Sequence, residues 1–340
     1  MISLPTAPVR IPVVLLYNLD PDWTPEEKKE AFKLTEELAG ALKGFGHAVE
    51  LVRVEGNEIH GKLRPYDPNE YLIFNWCEGI PGIEHSEWLV ARQLEELGYT
   101  YTGASPRVLS LAQDKQRVKD ILEACGIPTP AWKIFDAPRA DSWRIFPAIV
   151  KPRNEHCSAG ITPESVVTNG GDLTGRIAFI LNRYAQPALV EDFIDGREFH
   201  VAVLGNEDLT VLPAAEMDFS RFGDARDRLC TYEAKFAPGS LHYEKIETLL
   251  PAPLTGEEKE TLEEICRKAY RAVGCRDYAR MDLRLRDGVF YVLDVNPNAD
   301  LSSDASMACA AEAAGMSYAQ LGSVIVRMAA ARHPVFRQWL

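Results

Sequence analysis

The chain is short of paired cysteines, of basic charge and of long apolar runs, and each shortage excludes a class of protein. Its seven cysteines, Cys77, Cys125, Cys157, Cys230, Cys266, Cys275 and Cys309, are scattered and odd in number, with no CxxC pair. Neither a disulfide framework nor a zinc site is indicated, and a reducing cytoplasm is the expected compartment. Lys and Arg total 37 against 50 Asp and Glu, a net charge of -13. That balance argues against nucleic acid or a membrane surface as the main partner, because phosphate backbones need clustered cations. A nucleotide, which needs only a few local cations, remains compatible with it. The longest early apolar run, "IPVVLLY" at 11–17, is too short to span a bilayer. It reads as a first buried strand. The phosphate-loop patterns GxxxxGK[ST] and GxGxxG do not occur, and "GALKGFG" is the tail of a helix. Internal repeats and low-complexity tracts are missing too.

What is present is an ordinary soluble composition, 46% hydrophobic and 26% charged, over 340 residues, enough for two or three packed units. In the opening third, short apolar runs alternate with helical stretches. A helix starts at Thr24 (N-cap) and Pro25, and another is expected from about Glu84 to Leu97. Strand–helix alternation predicts a parallel sheet covered by helices. After "SLAQDKQRVKDILEACGIPTP" the pattern changes, with Pro128 and Pro130 marking a boundary. The short strands "WKIF", "FPAIVKP", "SVV" and "ALVEDFI" then surround a helix near 171–184. The fold class is α/β with α+β units.

One stretch carries the chemistry. "YARMDLRLRDGVFYVLDVNPN" reads as two strands around Asp287-Gly288. A two-residue loop would pair Arg286 with Val289 and set Asp294 on the face of Met281, Leu283 and Leu285, burying a carboxylate among aliphatics. A three-residue loop pairs Leu285 with Val289 instead. Met281, Leu283, Leu285, Val289, Tyr291, Leu293 and Val295 then share an apolar face, while Arg280, Asp282, Asp294 and Asn296 gather on the other. The three-residue loop is therefore expected. Oxygen donors clustered in this way suit a hard cation such as magnesium. The plain alternative is that Asp294 and Asn296 simply end a strand.

The same segment resembles the metal-binding hairpin of ATP-grasp enzymes, and among them the D-alanine–D-alanine ligases, whose pattern is Arg-x-Asp followed by Glu-x-Asn. The likeness runs from about Gly98 to Gly315 through "LVEDFIDGREF", "TYEAKF" and "PAPLTGEEKETLEEICRKAYRAVGCRDYARMDLRL". It implies an ATP-grasp fold: an N-terminal parallel α/β domain over 1–105, a central subdomain over 106–187, and a C-terminal subdomain with the metal site over 188–340. It further implies that Lys115 and Lys151 contact ATP phosphates. Glu191 would meet the adenine edge, with Phe193 and Ile194 as the hinge segment beneath the base. Glu198 would take the ribose hydroxyls, Ser158 a phosphate and Lys235 the γ-phosphate. Asp282, Asp294 and Asn296 would hold magnesium (or manganese). Arg280 would donate to the tetrahedral oxyanion, a contribution of about 3 kcal/mol. The implied reaction joins a small carboxylate to an amine through an acyl phosphate, with a homodimer as the implied assembly.

Four departures bear on the substrate side. Asp294 stands one methylene short of the usual Glu. "PRNEHCSAG" carries His156 and Cys157 where Gly-Ser-Ser is usual, "NLDPDWTPEE" lacks the glycine-rich loop after the first strand, and "NPNADLSSDAS" replaces a Pro-Gly segment. Ser302, Ser303 and Ser306 are open choices for a substrate carboxylate, and Glu78, Glu84 and His85 lie near the expected substrate mouth. A phosphotransferase that releases its phosphorylated product, and a nucleotide-binding module without turnover, are the competing readings.

Overall fold

In the computed structural model the described residues are 9–156, 158–231 and 239–340. Three sheets follow one another along the chain. The first is parallel, with order β2-β1-β3, from Pro12–Asn18 (β1), Ala48–Val54 (β2) and Leu72–Trp76 (β3). Its first crossover is the helix Pro25–Gly44 (α1), which opens with a capping box between Thr24 and Glu27 behind Pro25. Helix α2 covers Ile59–Leu63 and α3 covers Glu87–Glu96.

Two helices, Pro106–Ala112 (α4) and Lys115–Ala124 (α5), lead into the middle sheet. Asp114 caps α5 by accepting from the backbone N–H groups of Gln116 and Arg117. The middle sheet runs β4-β7-β5-β6, from Trp132–Phe135, Ala148–Pro152 (β5), Val166–Val167 (β6) and Ala188–Asp192 (β7), under the helix Gly170–Tyr184 (α6). The boundary expected at 187/188 cuts this sheet. Strand β7 pairs with β4 and β5, so the break between the second and third units falls after Asp192.

The third sheet has the path β11-β10-β8-β12-β13, with β9 also on β8. Its strands are Arg197–Gly205 (β8), Leu209–Val211 (β9), Ala215–Asp218 (β10), Glu247–Leu249 (β11), Tyr278–Arg286 (β12) and Val289–Pro297 (β13). The helix Gly256–Val273 packs Leu262, Cys266, Ala269 and Tyr270 into the same core as Phe199, Met281 and Leu283.

The β12–β13 hairpin corrects the expected loop. Arg286 pairs with Val289, so the turn has two residues, Asp287 (φ 53°) and Gly288 (φ 78°), both left-handed. That is the type I′ geometry for which Asp-Gly is suited. The ladder does not run on unbroken. Leu283 pairs with Val292 and Asp282 with Asp294, which leaves Leu293 as the extra residue of a bulge. The apolar face consists of Met281, Leu283, Phe290, Val292 and Val295, all buried, whereas Val289 and Tyr291 lie opposite Arg286 and Arg284 on the other face. Beyond the bulge the phase is reset, and Asp282 and Asp294 stand directly across from each other. At the bulge the backbone N–H of Val292 donates to the Pro128 carbonyl (2.8 Å), and Thr129 Oγ1 donates to the Val292 carbonyl (2.8 Å).

Candidate active site

The polar face of the third sheet is the floor of a cleft. In β8 it presents Glu198 and His200, in β12 Arg284, Asp282 and Arg280, and in β13 Asp294 and Asn296. Glu198 pairs in register with Arg284, His200 with Asp282, and Arg280 with Asn296. Arg280 grips Asp282 through two hydrogen bonds, Nε to Oδ1 at 2.7 Å and Nη2 to Oδ2 at 3.0 Å. Asn296 Nδ2 donates to Asp282 Oδ2 at 3.1 Å. A salt bridge to Asp282 is thus the position Arg280 holds in this structure.

Cations converge on the floor from the middle unit. Lys115, the first residue of α5, lies 3.5 Å from Asp294 Oδ1 and donates to the Glu155 carbonyl (2.7 Å). Burial by itself would raise the Asp294 carboxyl, but Lys115 and Lys151 outweigh it and hold the group below the usual carboxylate range. Lys151 leaves the buried strand β5 and meets Glu191 Oε2 at 2.7 Å. The other oxygen of Glu191 is held by Lys119, which sequence reasoning missed because helical lysines are usually solvated. Lys119 is only 1% exposed and donates to Thr129 Oγ1 at 2.8 Å. Glu191, likewise buried, stays ionised because its two lysines overcome the desolvation cost. Its carboxylate is committed to lysines here.

Glu198 is also engaged. Arg284 Nε donates to its Oε2 at 2.7 Å, and the same guanidinium donates to the Ile194 carbonyl (2.8 Å) and stacks on the Phe193 ring at 4.8 Å. Phe193 and Ile194 are buried, so the hinge segment between the two sheets rests on Arg284. Burial opposes the charge on Glu198, yet Arg284 and His200 keep its pKa well below the ordinary value. Ser158, at φ 62°, donates through Oγ to the Cys230 carbonyl at 2.8 Å. Lys235 and Cys157 lie outside the described residues.

These arrangements can be set beside known proteins. The family described as "D-ala D-ala ligase C-terminus" matches residues 121–327. The chain belongs to the D-alanine–D-alanine ligase family. Enzymes of this family are ATP-grasp carboxylate–amine ligases that use ATP and magnesium. An uncharacterized protein, y4sG, of Sinorhizobium fredii is 36% identical over 311 residues, 88% of each chain. The D-alanine–D-alanine ligase of Pseudothermotoga lettingae is 30% identical over 305 residues, 89% of this chain and 95% of the relative. In three dimensions the D-alanine–D-alanine ligase of Bacillus anthracis, solved with ATP, aligns with 97% of this chain and 100% of its own at a TM-score of 0.72 and 19% identity.

The floor fits a magnesium ion. Asp282, Asp294 and Asn296 offer oxygen atoms from facing strands, the donor type a hard cation takes. On the substrate side the family pattern is rebuilt. Asn298 (φ 53°) accepts from the Ala104 N–H (2.7 Å) and donates to Glu87 Oε1 (2.8 Å). Gly103 is tied to this clasp, since a Cβ there would come within 2.2 Å of Asn298 Oδ1. Burial pushes the Glu87 carboxyl up to about 8, and desolvation followed by Asp300 and Asp20 raises Glu78. Ser302 donates to Asp300 (2.7 Å) and Ser303 to Glu37 (2.9 Å), so both hydroxyls have protein partners. His85, also left-handed, lies 3.7 Å from Glu155, which connects the first unit to the loop after β5. His156 in that loop buries Nε2 with no hydrogen-bond partner, and burial then Lys115 hold its pKa down at about 4. Among the described residues no helix is long and apolar enough to cross a membrane.

Proposed function

We propose that this ligase joins the carboxylate of one amino-acid-like molecule to the amine of another, releasing ADP and phosphate. The reading rests above all on the cross-strand placement of Asp282 and Asp294 beneath Lys115 and Lys151. A free carboxylate is a poor electrophile. Transfer of the γ-phosphoryl group to it forms an acyl phosphate, whose carbonyl the amine attacks as phosphate leaves. Lys115 and Lys151 are the cations for the phosphate oxygens, with Lys235 as a third by family resemblance. Asp282, Asp294 and Asn296 would hold magnesium, which when bound would supply charge neutralisation for the phosphoryl oxygens. Arg280, already aligned by Asp282, donates to the oxyanion. Ser158 serves a phosphate, Glu191 the adenine edge and Glu198 the ribose, with Phe193 and Ile194 beneath the base.

The substrates are small molecules, and the substrate side differs enough from the family pattern that the test spans more than D-alanine. Phosphate release is measured over amino acids singly and in pairs. Turnover that needs both a carboxylate and an amine is the expected result, whereas ADP release with a carboxylate alone makes the chain a phosphotransferase. Asp282→Ala and Lys151→Ala are each expected to abolish turnover with the fold retained by circular dichroism. Full activity in either refutes the site. A cytoplasmic location and a homodimer are our further expectations from the same resemblance; the mass in solution tests the second.

A further inference from the structure

Beside the oxygen-lined hairpin the cleft floor carries a second donor set of different character. Glu198 and His200 alternate along β8 and face the same way, both buried, and Cys230 reaches them from the loop after the short 3-10 turn Ala225–Asp227. One donor atom from each, a carboxylate oxygen, an imidazole nitrogen and the sulfur, lies within 4.8 Å of the other two, and Glu198 Oε1 is 3.6 Å from His200 Nε2. Arg284 holds Glu198 through its other oxygen, Oε2, as outer partners orient a ligating carboxylate. Ser158 fixes the Cys230 main chain.

We propose that Glu198, His200 and Cys230 bind a thiophilic divalent cation of the zinc class, and that this ion and the nucleotide exclude each other. Sulfur, imidazole and carboxylate in threes, with one position open, are the donors zinc takes, whereas magnesium takes oxygen alone. Because His200 sits in register with Asp282, one sheet face sorts two kinds of ion side by side. The exclusion rests on the ribose role proposed for Glu198; the metal site itself does not.

The test titrates the magnesium-free full chain, kept reduced, with cobalt(II), and follows the thiolate-to-metal charge-transfer absorption. A band saturating at one equivalent and erased by zinc is expected. It should be missing in Cys230→Ser, and His200→Asn should weaken cobalt binding by about tenfold or more. No band in the wild type, or an equal band in Cys230→Ser, overturns the site. Should that variant fail to fold, wild-type alkylation mapped by mass spectrometry decides instead. Zinc must protect Cys230 from iodoacetamide, and an unprotected Cys230 overturns the proposal. Adenosine, which has the ribose but no chelating phosphates, is the competitor: it should raise the cobalt midpoint. A band indifferent to saturating adenosine overturns the exclusion and leaves the metal site standing.

Discussion

The two halves of the cleft treat charge in opposite ways. On the nucleotide side each carboxylate meets a cation: Glu191 has Lys119 and Lys151, Glu198 has Arg284, Asp282 has Arg280, and Asp294 has Lys115. On the substrate side Glu78, Glu87, Asp20 and Asp300 gather with no ion pair among the described residues, and the two glutamates respond by holding their protons more tightly. The first arrangement is organised before any ligand arrives, because each charge is fixed by a partner on another strand or helix. The second leaves carboxyl groups to be settled by whatever enters.

Three changes sharpen or break this contrast. The largest effect is expected from Lys119→Met. Removing one partner of a buried charge costs about 3–5 kcal/mol, so Tm should fall by about 10 °C in calorimetry. An unchanged Tm would mean that the nucleotide side is not held together by its ion pairs. Next is Arg280→Ala, for which kcat should drop about 100-fold, the loss for one oxyanion donor, with the KM for ATP nearly unchanged. If Arg280 serves only to hold Asp282, the KM for ATP rises instead.

The smallest effect is expected on the substrate side, from Glu87→Gln. With a folded pKa of about 8 against the ordinary glutamate value of 4.5, the native state binds more protons than the unfolded chain between those values. Stability from this group is therefore present at low pH and lost as pH rises through about 8. The glutamine should raise Tm by about 2–4 °C at pH 8.5 and by progressively less toward pH 4.5. A uniform shift at all pH values would remove the charge argument.

Much of the fold could be read from the chain because its signals are local. Thr24-Pro25 starts a helix and Asp287-Gly288 turns a hairpin whether or not the rest is known. The loop length was misjudged for an instructive reason. An unbroken ladder on a two-residue turn would indeed bury Asp294, but a bulge at Leu293 answers the same constraint, and an extra leucine looks like any other strand residue. The grouping of Asp282 with Asp294 came out the same by either route, since the solvation cost of a carboxylate does not depend on how the backbone avoids it. Lys119 and His200 were hidden differently. Their partners, Glu191 and Thr129 for one and Glu198 for the other, come together only once strands and helices pack, and no spacing announces that. The clasp of Asn298 on Ala104 and Glu87 joins residues 194 and 211 positions apart and was equally invisible.

The bulge has one more consequence. Strand β13 ends the path of its sheet, and an outermost strand with unsatisfied amides and carbonyls is a template on which a second molecule can grow. Here the main chain of Pro128 and the hydroxyl of Thr129 close off both polar groups of Val292. The same irregularity that presents Asp294 to the cleft thus also guards the protein against polymerising through that border.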